Sequence, residues 1–295
     1  MKLGAIFPTT EIGEDPVAIR DWAQAAESLG FDHIVAYDHV LGAVHEGREP
    51  KLTGPYTERD AFHEPFVLFG FLAAATRRIE LCTAVIILPQ RQTALVAKQA
   101  AEIDLLSGGR LRLGVGTGWN FVEYESLGVP FDDRGKRFDE QIELLRRLWR
   151  EPVIDFRGRF HRVERAGILP RPRRDIPIWF GGFTPVAVKR AARVGDGILF
   201  GTYPSRMLKL WEMTQAELKK AGRSASAFGA EAAVDASDSP DTWVKEAALW
   251  REAGGTHFAL RAMDTAAEQV GHKRFGFRGP QDYIAVLERF AAAVR

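Results

Sequence analysis

Asp38 and His39 stand side by side directly after a short apolar run, Phe31 to Tyr37. An imidazole gives and takes protons near neutral pH, and a neighbouring carboxylate can orient it or balance its charge. A second group is Gly116-Thr117-Gly118-Trp119-Asn120. Its small residues clear room for a flat ligand, its main-chain N–H groups can meet carbonyl or phosphate oxygens, and Trp119 offers an aromatic wall. A third is Gly181-Gly182-Phe183-Thr184, which opens a helical pattern. Helix N-termini attract anions through free N–H groups and the helix dipole, and Thr184 adds a hydroxyl. Each group also has a plain structural reading: a structural or surface histidine, a strand-to-helix turn without a ligand, and an ordinary capped turn.

The elements that must carry these residues follow from periodicity. IELCTAVIIL, from Ile79, is an apolar, β-branched run that suits one buried strand. Thr93 to Leu106 places Leu95, Val96, Ala100, Ile103 and Leu106 at helical spacing before Gly108 and Gly109 stop it. Leu111, Leu113 and Val115 then alternate into the Gly116 turn, and Phe138, Ile142, Leu145 and Trp149 mark the next helix. Strand, helix, strand, helix with short links is the βαβ pattern of a parallel sheet. Pro89-Gln90-Arg91 and the Gly116 turn therefore both emerge at the carboxyl ends of strands, the side where such sheets and barrels bind ligands.

The same alternation runs through the chain. Strands are expected at Leu3 to Phe7, Phe31 to Tyr37, Ile176 to Gly181, Gly197 to Gly201, Phe228 to Val234 and Thr256 to Arg261. Helices are expected after Asp15-Pro16, from about Glu64 to Thr76, and over Thr184 to Val194, Ser205 to Ala221, Pro240 to Ala253 and Pro280 to Val294. A hairpin centres on Arg157-Gly158. Eight strand–helix pairs indicate an α/β fold, a (β/α)8 TIM barrel with extended loops at the C-terminal face of the strands, and one domain over residues 1–295. Residues 41–63 are polar and broken by Gly and Pro, long for a barrel connection and suited to a lid. For residues 203–278 two readings stand, ordinary barrel elements or a cofactor-covering insertion.

Composition sets the outer limits. The 295 residues, 46% of them hydrophobic, are ample for one large barrel. A net charge of +1 argues against a nucleic-acid or other polyanion binder. The single cysteine, Cys82, falls inside an apolar strand and reads as core. The amino terminus has too short an apolar stretch for a signal peptide, and no window reaches membrane-spanning length, so a soluble, cytoplasmic protein is expected. His63-Glu64 and His161 lack metal-ligand spacing, so no metal is expected. Arg134, Lys136 and Arg137, and likewise Arg171, Arg173 and Arg174, read as solvated charge. No carboxylate pair or metal set supports a barrel hydrolase.

The strings LPQRQTALVAKQAAEIDLLSGGRLRLGVGTGW and RGKRFDEQIELLRRLW, with GFDHIVAYDHV upstream and IPIWFGGFTPVAVKRAARVGDG downstream, resemble the luciferase-like monooxygenase superfamily. The likeness runs to about Phe200 and sits nearest the deazaflavin (coenzyme F420) oxidoreductase branch. It implies hydride transfer between F420 and a small organic substrate, with FMN and a two-component monooxygenase as the alternative; a non-catalytic flavin-binding protein is a further class. It implies His39 in proton transfer, and Asp38 either contacting the cofactor ring or orienting the imidazole. It also implies a bulge with a non-prolyl cis peptide at Ala84-Val85 pressing on the ring, which Phe7, Asp38, Thr83, Gly116, Thr117, Gly118 and Trp119 would line. Gly181, Gly182 and Thr184 would take the cofactor's phosphate. The family's sugar-phosphate dehydrogenases carry a glutamate where this chain has Trp119, which counts against a sugar phosphate; Glu123, close by, is read as serving its helix. A homodimer and a separate flavin or F420 reductase are implied partners.

Overall fold

In a computed structural model, which describes residues 1–265 and 274–295, the alternating pattern closes on itself. Along the chain run β1 (Lys2–Ile6), α1 (Pro16–Ser28), β2 (His33–Ala36), α2 (Pro65–Ala75), β3 (Glu80–Thr83), β4 (Ile86–Ile87), α3 (Thr93–Leu106) and β5 (Leu111–Gly116). Next come α4 (Phe121–Ser126), α5 (Arg134–Arg150), the β6 (Ile154–Arg157) and β7 (Arg162–Ala166) hairpin, β8 (Ile178–Gly181), α6 (Pro185–Val194) and β9 (Gly197–Leu199). The chain ends through α7 (Pro204–Lys220), β10 (Gly229–Asp235), α8 (Pro240–Glu252), β11 (His257–Arg261) and α9 (Pro280–Val294). Parallel pairing runs β1-β2-β3-β5-β8-β9-β10-β11 and returns to β1. This is a closed (β/α)8 barrel. Through Arg261 the region left open between barrel elements and an insertion consists of barrel elements; its residues 266–273 lie outside the described residues.

Helix starts follow local chemistry. Pro16, Pro65, Pro185, Pro204, Pro240 and Pro280 each open a helix, where a missing N–H costs nothing. Asp15, Glu64, Thr184 and Ser239 cap theirs through side-chain acceptors. Alternate strand residues divide the core into two shells. Leu3, Ala5, Ile34, Leu81, Leu113, Phe180 and their like pack outward under the helices. Ile6, Val35, Cys82, Trp179, Leu199, Ala233, Ala259 and Met263 fill the barrel interior. Cys82 is buried there, as its apolar setting suggested. No described helix is long and apolar enough to cross a membrane.

Two expectations change here. The run from Ile79 is not one strand: it breaks between Thr83 and Ile86, and the Ala84–Val85 peptide is cis, as the resemblance implied. Phe7 does not enter the interior. It falls in the outward shell, with its ring 5.4 Å from that of Trp22 and edge-on to it, while Ile6 takes the inward position. Strand parity decides this: in a run that is apolar on both faces, no polar residue marks which face is which.

Candidate active site at the barrel mouth

His39 lies just beyond β2, with Nδ1 3.0 Å from Oε2 of Glu123. Glu123 sits in the first turn of α4 and is 1% exposed. Asn120 caps that helix by accepting from the Val122 N–H, which turns Glu123 back over the end of β2. The other carboxylate oxygen, Oε1, accepts from the main-chain N–H groups of Val40, at 2.6 Å, and Leu41, at 3.2 Å. One buried acid thus holds both the imidazole and the start of the long β2–α2 connection. This corrects the reading of Glu123 as a helix residue only. Its sequence signal was slight: a lone acid in the apolar turn Phe121-Val122-Glu123-Tyr124 directly after the glycine turn.

Asp38 faces elsewhere. Its Oδ1 accepts from Arg91 Nη2 at 2.6 Å, and its Oδ2 accepts from the Ile87 N–H at 2.9 Å. Arg91 also donates to Glu64, the cap of α2. Burial raises the Asp38 carboxyl above its usual range, with the Arg91 pair pulling the other way. Asp38 therefore ties the ends of β2 and β4 to α2. Of the two roles the resemblance left for it, orienting the imidazole belongs to Glu123.

The segment 41–63 folds over His39, in keeping with a lid. The Phe62, Tyr56 and Trp119 rings stand edge-on to the imidazole at 4.8, 5.4 and 5.4 Å between centroids. His45 bonds the Tyr56 carbonyl through Nε2 at 3.0 Å. Gly54 rests so closely on Trp119 that a Cβ there would fall 1.9 Å from the ring. Burial drives the Tyr56 hydroxyl upward, so it stays a neutral phenol.

Across the mouth, Val85 wedges between two of the glycines singled out from the sequence. A Cβ on Gly116 would lie 2.5 Å from one Val85 methyl, and one on Gly181 would lie 2.6 Å from the other. These glycines make room for Val85 directly, and for any ring only through it. Gly118 has φ +62° and lies under Ile87; Gly182 has φ +151° and would clash with Ala187 if it carried a side chain. Thr184 caps α6, its Oγ1 accepting from the Ala187 N–H. The Thr117 carbonyl accepts from the Tyr124 hydroxyl at 2.7 Å. Thr83 is committed within the wall, its hydroxyl donating to the Gly114 carbonyl and accepting from the Gly114 N–H. Ala84 lies beside the interior cluster. At Gly201, just past the end of β9, a Cβ would meet nothing within 4 Å, so the mouth is open there. An apolar wedge, glycine turns and a capped helix N-terminus suit a planar ring bearing an anionic tail. Among the described residues no cluster of three His, Cys, Asp or Glu side chains is arranged around a metal position.

The model of the family described as luciferase-like monooxygenase matches residues 1–295. The chain belongs to that family. Its curated relatives include an F420-dependent glucose-6-phosphate dehydrogenase of Amycolatopsis mediterranei, 32% identical over 205 residues. The match covers 68% of this chain and 57% of that enzyme. Two solved members of the same fold align over nearly the whole chain. An F420-dependent secondary alcohol dehydrogenase, solved with an F420–acetone adduct, has a TM-score of 0.78 and 18% identity, covering 100% of this chain and 99% of its own. A monooxygenase from Streptomyces bottropensis has a TM-score of 0.78 and 20% identity, covering 99% and 98%. At such identities the two likenesses establish the shared fold alone.

Proposed function

We propose that this luciferase-like protein is an oxidoreductase that moves a hydride between coenzyme F420 and a small organic substrate, with His39 moving the accompanying proton. The observation that carries the reading is the pairing of His39 with the buried Glu123 at the carboxyl end of β2, held at hydrogen-bond distance under an aromatic lid. The F420-dependent relative and the F420-dependent alcohol dehydrogenase of the same fold support the choice of cofactor. The deazaflavin supplies a two-electron hydride carrier; the protein binds it, orients it and screens the site from water. Ala84, Val85, Gly116, Thr117 and Gly118 would seat the ring, and Gly181, Gly182 and Thr184 would take the phosphate. Trp119 closes the wall behind His39, where the resemblance places the acid of the sugar-phosphate enzymes, so a substrate other than a sugar phosphate fits better.

A second reading is an FMN-dependent monooxygenase supplied with reduced flavin by a reductase; the family description and the Streptomyces bottropensis enzyme support it. Equilibrium titration of the purified protein with F420 and, separately, with FMN decides between them. Binding of F420 alone is expected. Preference for FMN would move the protein to the second reading, and binding of neither would overturn both. In the F420 reading a separate reductase recharges the cofactor. A homodimer belongs to the same reading. Helices α2 and α3 leave Val67, Phe71 and Leu95 exposed, an apolar face that a second copy would cover. Sedimentation equilibrium tests it, a monomer at micromolar concentration being the contrary result.

A further inference from the structure

Resting on the reading of His39 as the proton carrier, we infer that Glu123 is its positioning residue: it holds hydrogen on Nδ1 of the imidazole, so that Nε2 alone exchanges a proton with substrate. Oε1 is taken by two main-chain donors, Val40 and Leu41, and Oε2 meets Nδ1 at 3.0 Å. A carboxylate only accepts, so the nitrogen facing it must be the one bearing hydrogen. Nε2 has no hydrogen-bond partner among the described residues, and the rings around the imidazole meet it edge-on. Asp38, its neighbour in sequence, is spent on Arg91 and Ile87 and cannot compete for either nitrogen.

The chemistry follows directly. For an alcohol substrate, bound F420 would supply the acceptor for the hydride of the C–H bond, and His39 Nε2 would take the proton of the O–H bond, leaving a C=O. The imidazolium so formed keeps its Nδ1–H on Glu123, which balances the new charge until the proton passes to water. In reduction each transfer reverses. A base held by a buried acid in one tautomer needs no reorientation between turnovers.

The substitution Glu123→Gln separates positioning from simple support of the lid. Two main-chain N–H groups fix the amide oxygen on the Val40 and Leu41 side, as the carboxylate is fixed now. The amide NH₂ then faces Nδ1, which must present a lone pair, and the imidazole proton moves to Nε2. The lid stays anchored while the base is lost.

Nitrogen-15 NMR of histidine side chains in the cofactor-free protein, with His39 assigned by comparison with His39→Ala, reads the tautomer without any substrate. Wild type is expected to carry Nδ1–H and Glu123→Gln to carry Nε2–H. Glu123→Asp, which keeps the carboxylate, should retain the wild-type tautomer and serves if the glutamine variant folds poorly. With an accepted substrate, Glu123→Gln should lose roughly 10²–10⁴-fold in turnover, as loss of a working acid–base does, with F420 affinity unchanged. Nε2–H in the wild type, or full turnover in Glu123→Gln, would overturn the inference. Failure of F420 to bind would instead refute the proposed activity and leave the tautomer result standing.

Discussion

Two histidine–glutamate pairs sit at opposite ends of the same barrel strand, and they are built for different ends. At the mouth, His39 meets Glu123 beneath a lid of irregular chain. At the floor, His33 Nε2 lies 2.9 Å from Glu231 Oε2, with side chains 0% and 5% exposed. The floor pair is one part of a larger buried cluster. Arg112 donates to Glu231 at 3.1 Å, lies 3.1 Å from Glu80, and stacks 4.2 Å from the Trp179 ring centroid. The His257 ring stands edge-on to those of both His33 and Trp179. Gly4 leaves no room for even a methyl group, because a Cβ there would fall 2.3 Å from His33 Nε2. Around the mouth pair, by contrast, backbone N–H groups satisfy the acid and only aromatic edges cover the base. Pairing alone therefore does not mark a working histidine. His33 Nδ1 also has no hydrogen-bond partner among the described residues. What separates the two is that His33 is sealed in the floor while His39 stands at the mouth, the ligand-binding end of a barrel.

The sharpest break of this comparison is His39→Ala. Loss of a general acid–base should lower turnover roughly 10²–10⁴-fold while F420 affinity and the unfolding midpoint stay near wild type. Unchanged turnover would remove His39 from the chemistry and make the two pairs alike. Arg112→Met should do the reverse. Removing one partner of a buried ionic cluster leaves carboxylates without compensation and costs about 3–5 kcal/mol of stability, with the mouth untouched. Adding Glu231→Leu to it should recover much of that loss, since apolar packing replaces buried ions well. Urea unfolding of the single and double variants measures both effects; a single variant as stable as wild type would show that the floor cluster is not holding the barrel shut.

How much of this was legible beforehand depended on the range of the contact. Strands and helices were legible because their periodicity is local: Leu111, Leu113 and Val115 announce β5, and the glycine turn after it announces the mouth. The break between β3 and β4 was hidden because Glu80 to Ile87 is almost continuously apolar, and composition cannot tell one straight strand from two short ones. The direction of Phe7 was hidden for the same reason. The His39–Glu123 pair spans 84 positions, so nothing local could join its halves. Adjacency pointed instead to Asp38, yet successive residues in extended chain face opposite ways, and Asp38 turns toward Arg91.

Acid titration should sharpen the comparison with a smaller effect. Burial, followed by the nearby Arg112 and His33 charges, brings the His257 ring from an ordinary value near 6.5 down to about 2. Burial pushes the Glu231 carboxyl up, but His33 and Arg112 outweigh it and bring it to about 2. For His257 the unfolded chain takes up a proton as pH falls through about 6.5 while the folded barrel stays neutral until about 2, so acidification favours unfolding across that window. Glu231, depressed in the folded state, stabilises above its unfolded value near 4.5, and that contribution is lost as pH falls from there toward about 2. The expected slope is at most about 1.4 kcal/mol per pH unit for each group. Unfolding midpoints at several values from neutrality down to pH 4 test it; a midpoint flat from 7 to 5 would show that His257 protonates inside the folded floor.

The smallest effect is expected where the lid meets the mouth. Gly54→Ala would place a methyl group within about 2 Å of three atoms of the Trp119 ring, at a backbone conformation an alanine can adopt. The floor would have to absorb such a clash, because strands hold it on every side. The lid can lift instead, since residues 41–63 form no regular secondary structure, and the turn at Thr57 closes only on its near neighbours Arg59 and Asp60. The cost in stability should therefore stay below about 1 kcal/mol, under the usual 1–3 kcal/mol of core overpacking. The signature to look for is kinetic: faster limited proteolysis within 41–63 and a several-fold weaker apparent substrate affinity, with the tautomer of His39 unchanged because Glu123 still holds Val40 and Leu41. If Gly54→Ala instead unfolds the barrel, the lid is as rigid as the floor, and the contrast between the two ends of the strand fails where it is most exposed to test.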